Sequence, residues 1–192
     1  MNLAGVVLAG GKSSRYGSQK IFETYQGLPL YKHSLHALLQ GGISDTYIST
    51  NKELASSFYQ KETDLLVEDS FHEGPLYAFA HVARSLSQRY DWLFLLPSDS
   101  PFVSEDFIPY MVSQLQETGN DFDCHLPVSG DTWQPLHAMY HTRILSAAEK
   151  CLAQGKRSML PLLHSIRVNT IPFPEDEPSF VNINRPQDWR RI

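Results

Sequence analysis

Five large apolar residues in a row, Trp92-Leu93-Phe94-Leu95-Leu96, stop abruptly at Pro97-Ser98-Asp99. A strand with one face in water carries a polar residue at every second place. This run carries none, so it reads as a strand buried on both faces. Such a strand needs helices above and below it, which points to a covered and mostly parallel sheet.

The rest of the chain fits that frame, alternating short β-branched or aromatic runs with segments of helical period. Leu3 to Leu8 reads as a first strand, and a glycine-rich stretch from Ala9 to Gly17 leaves its carboxyl end. Pro29 stands where a helix can open, with Leu35, Leu38 and Leu39 as its stripe and Gly41-Gly42 as its stop. Thr46 to Thr50 is a second strand, a short helix is expected over Glu53 to Gln60, and Leu65 to Val67 is a third strand ending in Glu68-Asp69. A helix follows Gly74-Pro75 to about Ser87, and another shows its stripe in Phe107, Ile108, Met111, Val112 and Leu115. Further on, His125 to Val128 and Leu136 to Tyr140 are expected strands, Ile144 to Leu152 a helix, and Ser158 the start of a short one. The tail holds apolar runs at Val168 to Ile171 and Phe180 to Ile183, then a last helix opened by Pro186. No repeat and no proline-, glycine- or serine-rich linker divides the 192 residues, so one domain over residues 1–192 is expected.

A net charge of −5 leaves no broad basic face for a polyanion, so nucleic-acid binding is disfavoured. Cys124 and Cys151 stand far apart, outside any C-x-x-C spacing, which supports neither a disulfide framework nor a zinc knuckle and fits a reducing cytoplasm. MNLAGVVLAGGK lacks a basic stretch before an apolar run that is itself too short for a signal or a membrane span. The reading is a cytoplasmic protein with no membrane partner.

Residues 8–20, Leu-Ala-Gly-Gly-Lys-Ser-Ser-Arg-Tyr-Gly-Ser-Gln-Lys, combine three glycines, serine hydroxyls and the cations Lys12, Arg15 and Lys20. Glycines let backbone N–H groups approach an anion without a Cβ in the way, and successive N–H groups in a tight turn make an anion-binding concavity. The same composition also suits a solvated turn. A Walker A loop is ruled out because the position five before Gly11 is Val6. Gly10, Gly11 and Gly17 do not fit G-x-G-x-x-G either, so a dehydrogenase is disfavoured.

Ligands of open α/β sheets bind outside the carboxyl ends of the strands, and here those ends carry the glycine loop, Asp69 and Asp99. Asp99 emerges from the buried strand, where its carboxylate can ligate Mg2+ bridging a triphosphate; it also sits in good turn chemistry. Asp69 reads either as an acceptor for a nucleobase or as a cap for the next turn. His137 and His141 would lie about 13 Å apart on a strand, too far to share a metal ion, and none of the eight histidines is assigned a catalytic role.

The ordered pattern L-A-G-G-x-S-x-R-x-G-x-x-K resembles the signature loop of sugar-nucleotide and cofactor nucleotidyltransferases. Within that superfamily the chain is similar nearly end to end to the molybdenum cofactor guanylyltransferases. Glu68-Asp69-Ser70, Gly74-Pro75-Leu76, Pro97-Ser98-Asp99-Ser100-Pro101, Gln134-Pro135-Leu136, Gly155-Lys156-Arg157 and Phe180-Val181-Asn182-Ile183-Asn184 fall in that family's order. Tyr16, Gln19 and Ala78 depart from it, standing where the family has Met, Asp and a second glycine.

The resemblance implies a three-layer α/β/α sandwich with a Rossmann-like sheet, of the nucleotide-diphospho-sugar transferase type. It implies GTP and molybdopterin as substrates, Mg2+ as cofactor, and transient contact with molybdoenzymes or their chaperones by a monomer or weak homo-oligomer. Lys20, Arg15 and Asp99 would be catalytic, with Asp99 the metal ligand. Leu8, Ala9, Gly10, Gly11, Gly17, Lys20, Asn51, Asp69, Gly74 and Asp99 would hold the nucleotide, and Arg157, Asn182 and Asn184 the pterin. Asn182 and Asn184 alternate on an expected strand and so share a face, which also suits a pair of amides satisfying nearby loops. The rivals are a sister enzyme using CTP or another phosphorylated acceptor, and a noncatalytic nucleotide or cofactor binder.

Overall fold

The computed structural model describes residues 2–11, 19–58, 63–69, 73–183 and 188. The chain enters through β1 (Leu3–Leu8), forms a small hairpin from β2 (Thr24–Tyr25) and β3 (Leu28–Pro29), and continues into α1 (Leu30–Gln40), β4 (Thr46–Asn51) and β5 (Asp64–Glu68). There follow α2 (Pro75–Leu86), β6 (Trp92–Pro97), α3 (Phe107–Thr118), β7 (Cys124–Ser129), β8 (Thr132–Trp133) and β9 (Met139–His141). The last elements are α4 (Leu145–Ala153), α5 (Leu160–Leu163) and β10 (Val168–Phe173).

One sheet in the order β10-β7-β9-β6-β1-β4-β5 spans the molecule, with β8 paired to β7. The β10-β7, β6-β1, β1-β4 and β4-β5 pairs are parallel, while β9 runs antiparallel to both its neighbours. β6 lies inside the sheet and is buried along its whole length, as its unbroken apolar run requires. Its residues divide by period 2. Leu93 and Leu95 join Phe79, Val82, Ala148 and Leu162 on the side of α2, α4 and α5. Phe94 and Leu96 join Leu35, Leu38, Phe107 and Met111 on the side of α1 and α3. The result is three layers, α/β/α, around a two-sided core. Truncating a side chain such as Phe94, fully buried between sheet and α3, costs about 3–5 kcal/mol in comparable cores.

Three sequence expectations change. The helix expected over Glu53 to Gln60 is a 3-10 turn at Ala55–Ser57 among the described residues, because Asn51 Oδ1 accepts the backbone N–H groups of Glu53 and Leu54 and tightens the chain there. The strand expected from Leu136 begins only at Met139, so His137 is not on a strand. Phe180 to Ile183 forms no strand: Pro178–Phe180 is a 3-10 turn and residues 181–183 run on without sheet pairing. Asn182 therefore stands on no strand; Asn184, like the helix expected from Pro186, lies outside the described residues.

Candidate active site

β1, β4, β5, β6 and β7 all point their carboxyl ends to one edge of the sheet. The chain leaving β1 is held there by its neighbours. Ala9 N donates to Ser49 O at 2.7 Å, Thr50 Oγ1 donates to Ala9 O at 3.3 Å, and Asn51 Nδ2 donates to Gly10 O at 3.3 Å. Ser98 N donates to Leu8 O at 3.1 Å, so the end of β6 is locked to the start of the same loop. Gly11 is exposed with open space around it, whereas a Cβ on Gly10 would lie 3.3 Å from Glu68 Oε1. Arg15 and Gly17 lie outside the described residues.

Lys20 opens a 3-10 turn, Lys20–Phe22, whose Ile21 is buried and whose Phe22 ring packs edge-on against Tyr31 and Phe58. This apolar anchor aims the Lys20 side chain inward. Its ammonium donates to Asp99 Oδ2 and to Ile183 O, the latter at 3.0 Å. Both partners of the ion pair are largely enclosed, at 12% and 14% side-chain exposure. Asp99 sits in the turn after β6, and its own carbonyl accepts Ile183 N at 2.9 Å. Lysine, aspartate and the tail segment thus meet at the end of β6.

The Asp99 carboxylate is a hard oxygen donor of the type that divalent cations such as Mg2+ take. Mg2+ is held by one or two carboxylates plus substrate phosphates and waters, not by an all-protein cage. Asp99 supplies a hard carboxylate to this cluster, and among the described residues no three His, Cys, Asp or Glu side chains converge.

Gly74 adopts φ 88° as the N-cap of α2, and a Cβ there would lie 2.8 Å from Arg157 O, so only glycine fits both the turn and the close approach. Leu76 N donates to that same Arg157 carbonyl, and the Arg157 guanidinium pairs with Glu73 at 2.9 Å. Arg157 is therefore stitched to the α2 N-terminus and makes no described bond to the Lys20–Asp99 pair. Asp69 projects outward, 83% exposed, and pairs with Lys52 at 3.1 Å, a contact that contributes little in water. Asn182 Oδ1 accepts the Ser100 hydroxyl at 2.5 Å, next to Asp99 in sequence.

Sequence reasoning passed over Glu68. Its side chain is buried, its Oε1 accepts Ser49 Oγ at 3.1 Å, and it underlies Gly10. Burial pushes its pKa above the usual carboxylate value, against the opposing pull of the Ser49 hydroxyl. The period-2 rule held the signal: Glu68 pairs with Asn51 in register and shares its face, while Asp69 one residue later points away.

Comparison with known proteins identifies the family. Residues 5–167 match the family model for the MobA-like NTP transferase domain. The probable molybdenum cofactor guanylyltransferase of Geobacillus sp. (strain WCH70) is 32% identical over 197 residues, an alignment covering 99% of this chain and 97% of the relative. The crystal structure of molybdopterin-guanine dinucleotide biosynthesis protein A from Archaeoglobus fulgidus shares the fold with a TM-score of 0.79 at 23% identity, over 98% of this chain and 95% of that one. Rv0371c from Mycobacterium tuberculosis, solved in complex with manganese, superposes with a TM-score of 0.68 at 18% identity, over 100% and 97% of the two chains. The chain belongs to the MobA-like NTP transferase family and is a nucleotidyltransferase.

Proposed function

We propose that this single-domain enzyme transfers GMP from GTP to the terminal phosphate of molybdopterin, releasing pyrophosphate and forming the guanine dinucleotide of the cofactor. The observation that carries the reading is the meeting of Lys20 and Asp99 beside the loop that leaves β1. An acceptor phosphate oxygen attacks the α-phosphorus, the new P–O bond forms, and the bond to the β-phosphate oxygen breaks with its electron pair going to pyrophosphate. The acceptor is already ionised at neutral pH, so no general base is required. Catalysis is then positioning and charge stabilisation.

Lys20 binds and neutralises phosphate oxygens from one side, with Arg15 and the N–H groups of Gly10, Gly11 and Gly17 completing the cradle. Mg2+, held by Asp99 together with the triphosphate, supplies further neutralisation when bound. Lys20 pairs with Asp99, so the carboxylate that would hold the metal ion lies within reach of the ammonium that neutralises phosphate. Leu8, Ala9 and Asn51 fix the base side of the loop, Asp69 and Gly74 border it, and Arg157, Asn182 and Asn184 serve the pterin. The two free cysteines, both buried, suit the cytoplasm; among the described residues no helix is long and apolar enough to cross a membrane.

The test is pyrophosphate release with each of the four nucleoside triphosphates, with and without molybdopterin and Mg2+. Release only with GTP, pterin and metal together is expected. Equal release with CTP would assign the chain to a sister reaction, and no release with any triphosphate would leave only a binder.

A further inference from the structure

His137 is the most deeply buried titratable group near the site that the chemistry above leaves unused. It is 1% exposed, and its ring stands edge-on to Phe107 and Phe180 at 6.4 and 5.3 Å. Its Nε2 lies 3.1 Å from Ser100 Oγ, and the fully buried Ser100 hydroxyl donates to Asn182 Oδ1. Loss of hydration inside the apolar wall holds the ring's pKa down to about 3, against a hydrogen bond with the Ser179 backbone, so the ring is neutral across the working range.

The place of this relay matters. Ser100 follows Asp99, and Asn182 precedes Ile183, whose N–H reaches Asp99 O and whose carbonyl receives Lys20. The segment 181–183 belongs to no sheet, so the Ile183–Asp99 backbone bond and the side-chain bonds from Lys20 and Ser100, not a ladder, hold it beside Asp99. A serine at position 100 linked to a rigid, uncharged ring fixes where the Asn182 amide stands relative to the phosphate-binding pair.

We propose that His137 and Ser100 are positioning residues for the acceptor. They fix the Asn182 amide beside Asp99, so that the pterin phosphate arrives in line with the nucleotide. This rests on the guanylyl-transfer reading above.

The test compares Ser100→Ala, His137→Leu, His137→Gln, Asn182→Ala and the Ser100→Ala/Asn182→Ala double variant. Leucine keeps the packing against Phe107 and Phe180, and glutamine restores a hydrogen-bonding group toward Ser100. Ser100→Ala and His137→Leu are expected to raise the KM for molybdopterin about tenfold with the KM for GTP within about twofold, His137→Gln to recover part of it, and the double variant to match Asn182→Ala. Amide hydrogen exchange at Ile183, read without any ligand, is expected to quicken in both disrupted variants. Multiplying effects in the double variant, parallel rises in both KM values, or unchanged Ile183 exchange would each overturn the proposal. Wild-type protein that transfers nothing would instead strike the activity reading, and the exchange measurement would still decide the relay.

Discussion

Lys20 and Asp99 stand 79 residues apart in the chain and touch in the fold, ammonium to carboxylate, with little water around either. A contact of that separation exists because β1 and β6 are parallel neighbours whose carboxyl ends share one edge of the sheet. The turn after β6 presents the carboxylate, and the 3-10 turn pinned by Phe22 presents the ammonium.

Replacing Lys20 by Met removes the cation proposed to neutralise the triphosphate while keeping most of the side chain's length. The expected loss in kcat is about 10²- to 10³-fold, the range found when a single charge-stabilising donor is removed. Steady-state pyrophosphate release, with a thermal melt to show that the fold persists, checks this.

Glu68 gives a pH signature in stability. Its folded pKa lies above the unfolded value of 4.5, so the folded state binds the extra proton between those values. Its contribution is present below pH 4.5 and is lost as pH rises through the folded pKa. Glu68→Gln keeps an oxygen for the Ser49 hydroxyl and is expected to flatten that decline and to be the more stable protein at pH 7. Urea unfolding midpoints from pH 4 to 8 measure it.

Asp123 gives the opposite sign. Burial raises its pKa, but hydrogen bonds from the Arg167 side chain and backbone and from Arg143 outweigh it and hold the carboxyl at about 2. Its stabilisation is complete above the unfolded value of 3.8 and disappears as pH falls through about 2. Because Arg167 faces solvent, the contribution is at most about 2 kcal/mol. Asp123→Asn is expected to lose that acid-side slope, followed by thermal unfolding between pH 2 and 5.

What the sequence revealed follows the strength of its periodic signals. Trp92 to Leu96 has no polar interruption and became the buried strand it announced; Leu3 to Leu8 and the stripe from Phe107 to Leu115 were equally plain. The β2–β3 hairpin at Thr24–Pro29 and the strand β8 at Thr132–Trp133 use two-residue strands, too short for any period to show. Phe180 to Ile183 misled because apolar burial there comes from the aromatic cluster with Phe107 and Phe173 and from Glu177 capping a 3-10 turn, not from a ladder. At the candidate site, glycines and Asp99 were visible as candidates because their types are demanding. Glu68, Ser100 and His137 were not, since their importance depends on which face they occupy and on partners 19 to 82 residues away.

The central claim is that Asp99 and Lys20 serve one metal-bound triphosphate, and the most direct measurement is single-turnover guanylyl transfer by Asp99→Asn at varied Mg2+. Asparagine keeps the shape and removes the charge, so the account predicts a fall of about 10²-fold or more together with a weakened Mg2+ dependence. Transfer at the unaltered rate with an unaltered Mg2+ requirement would contradict it.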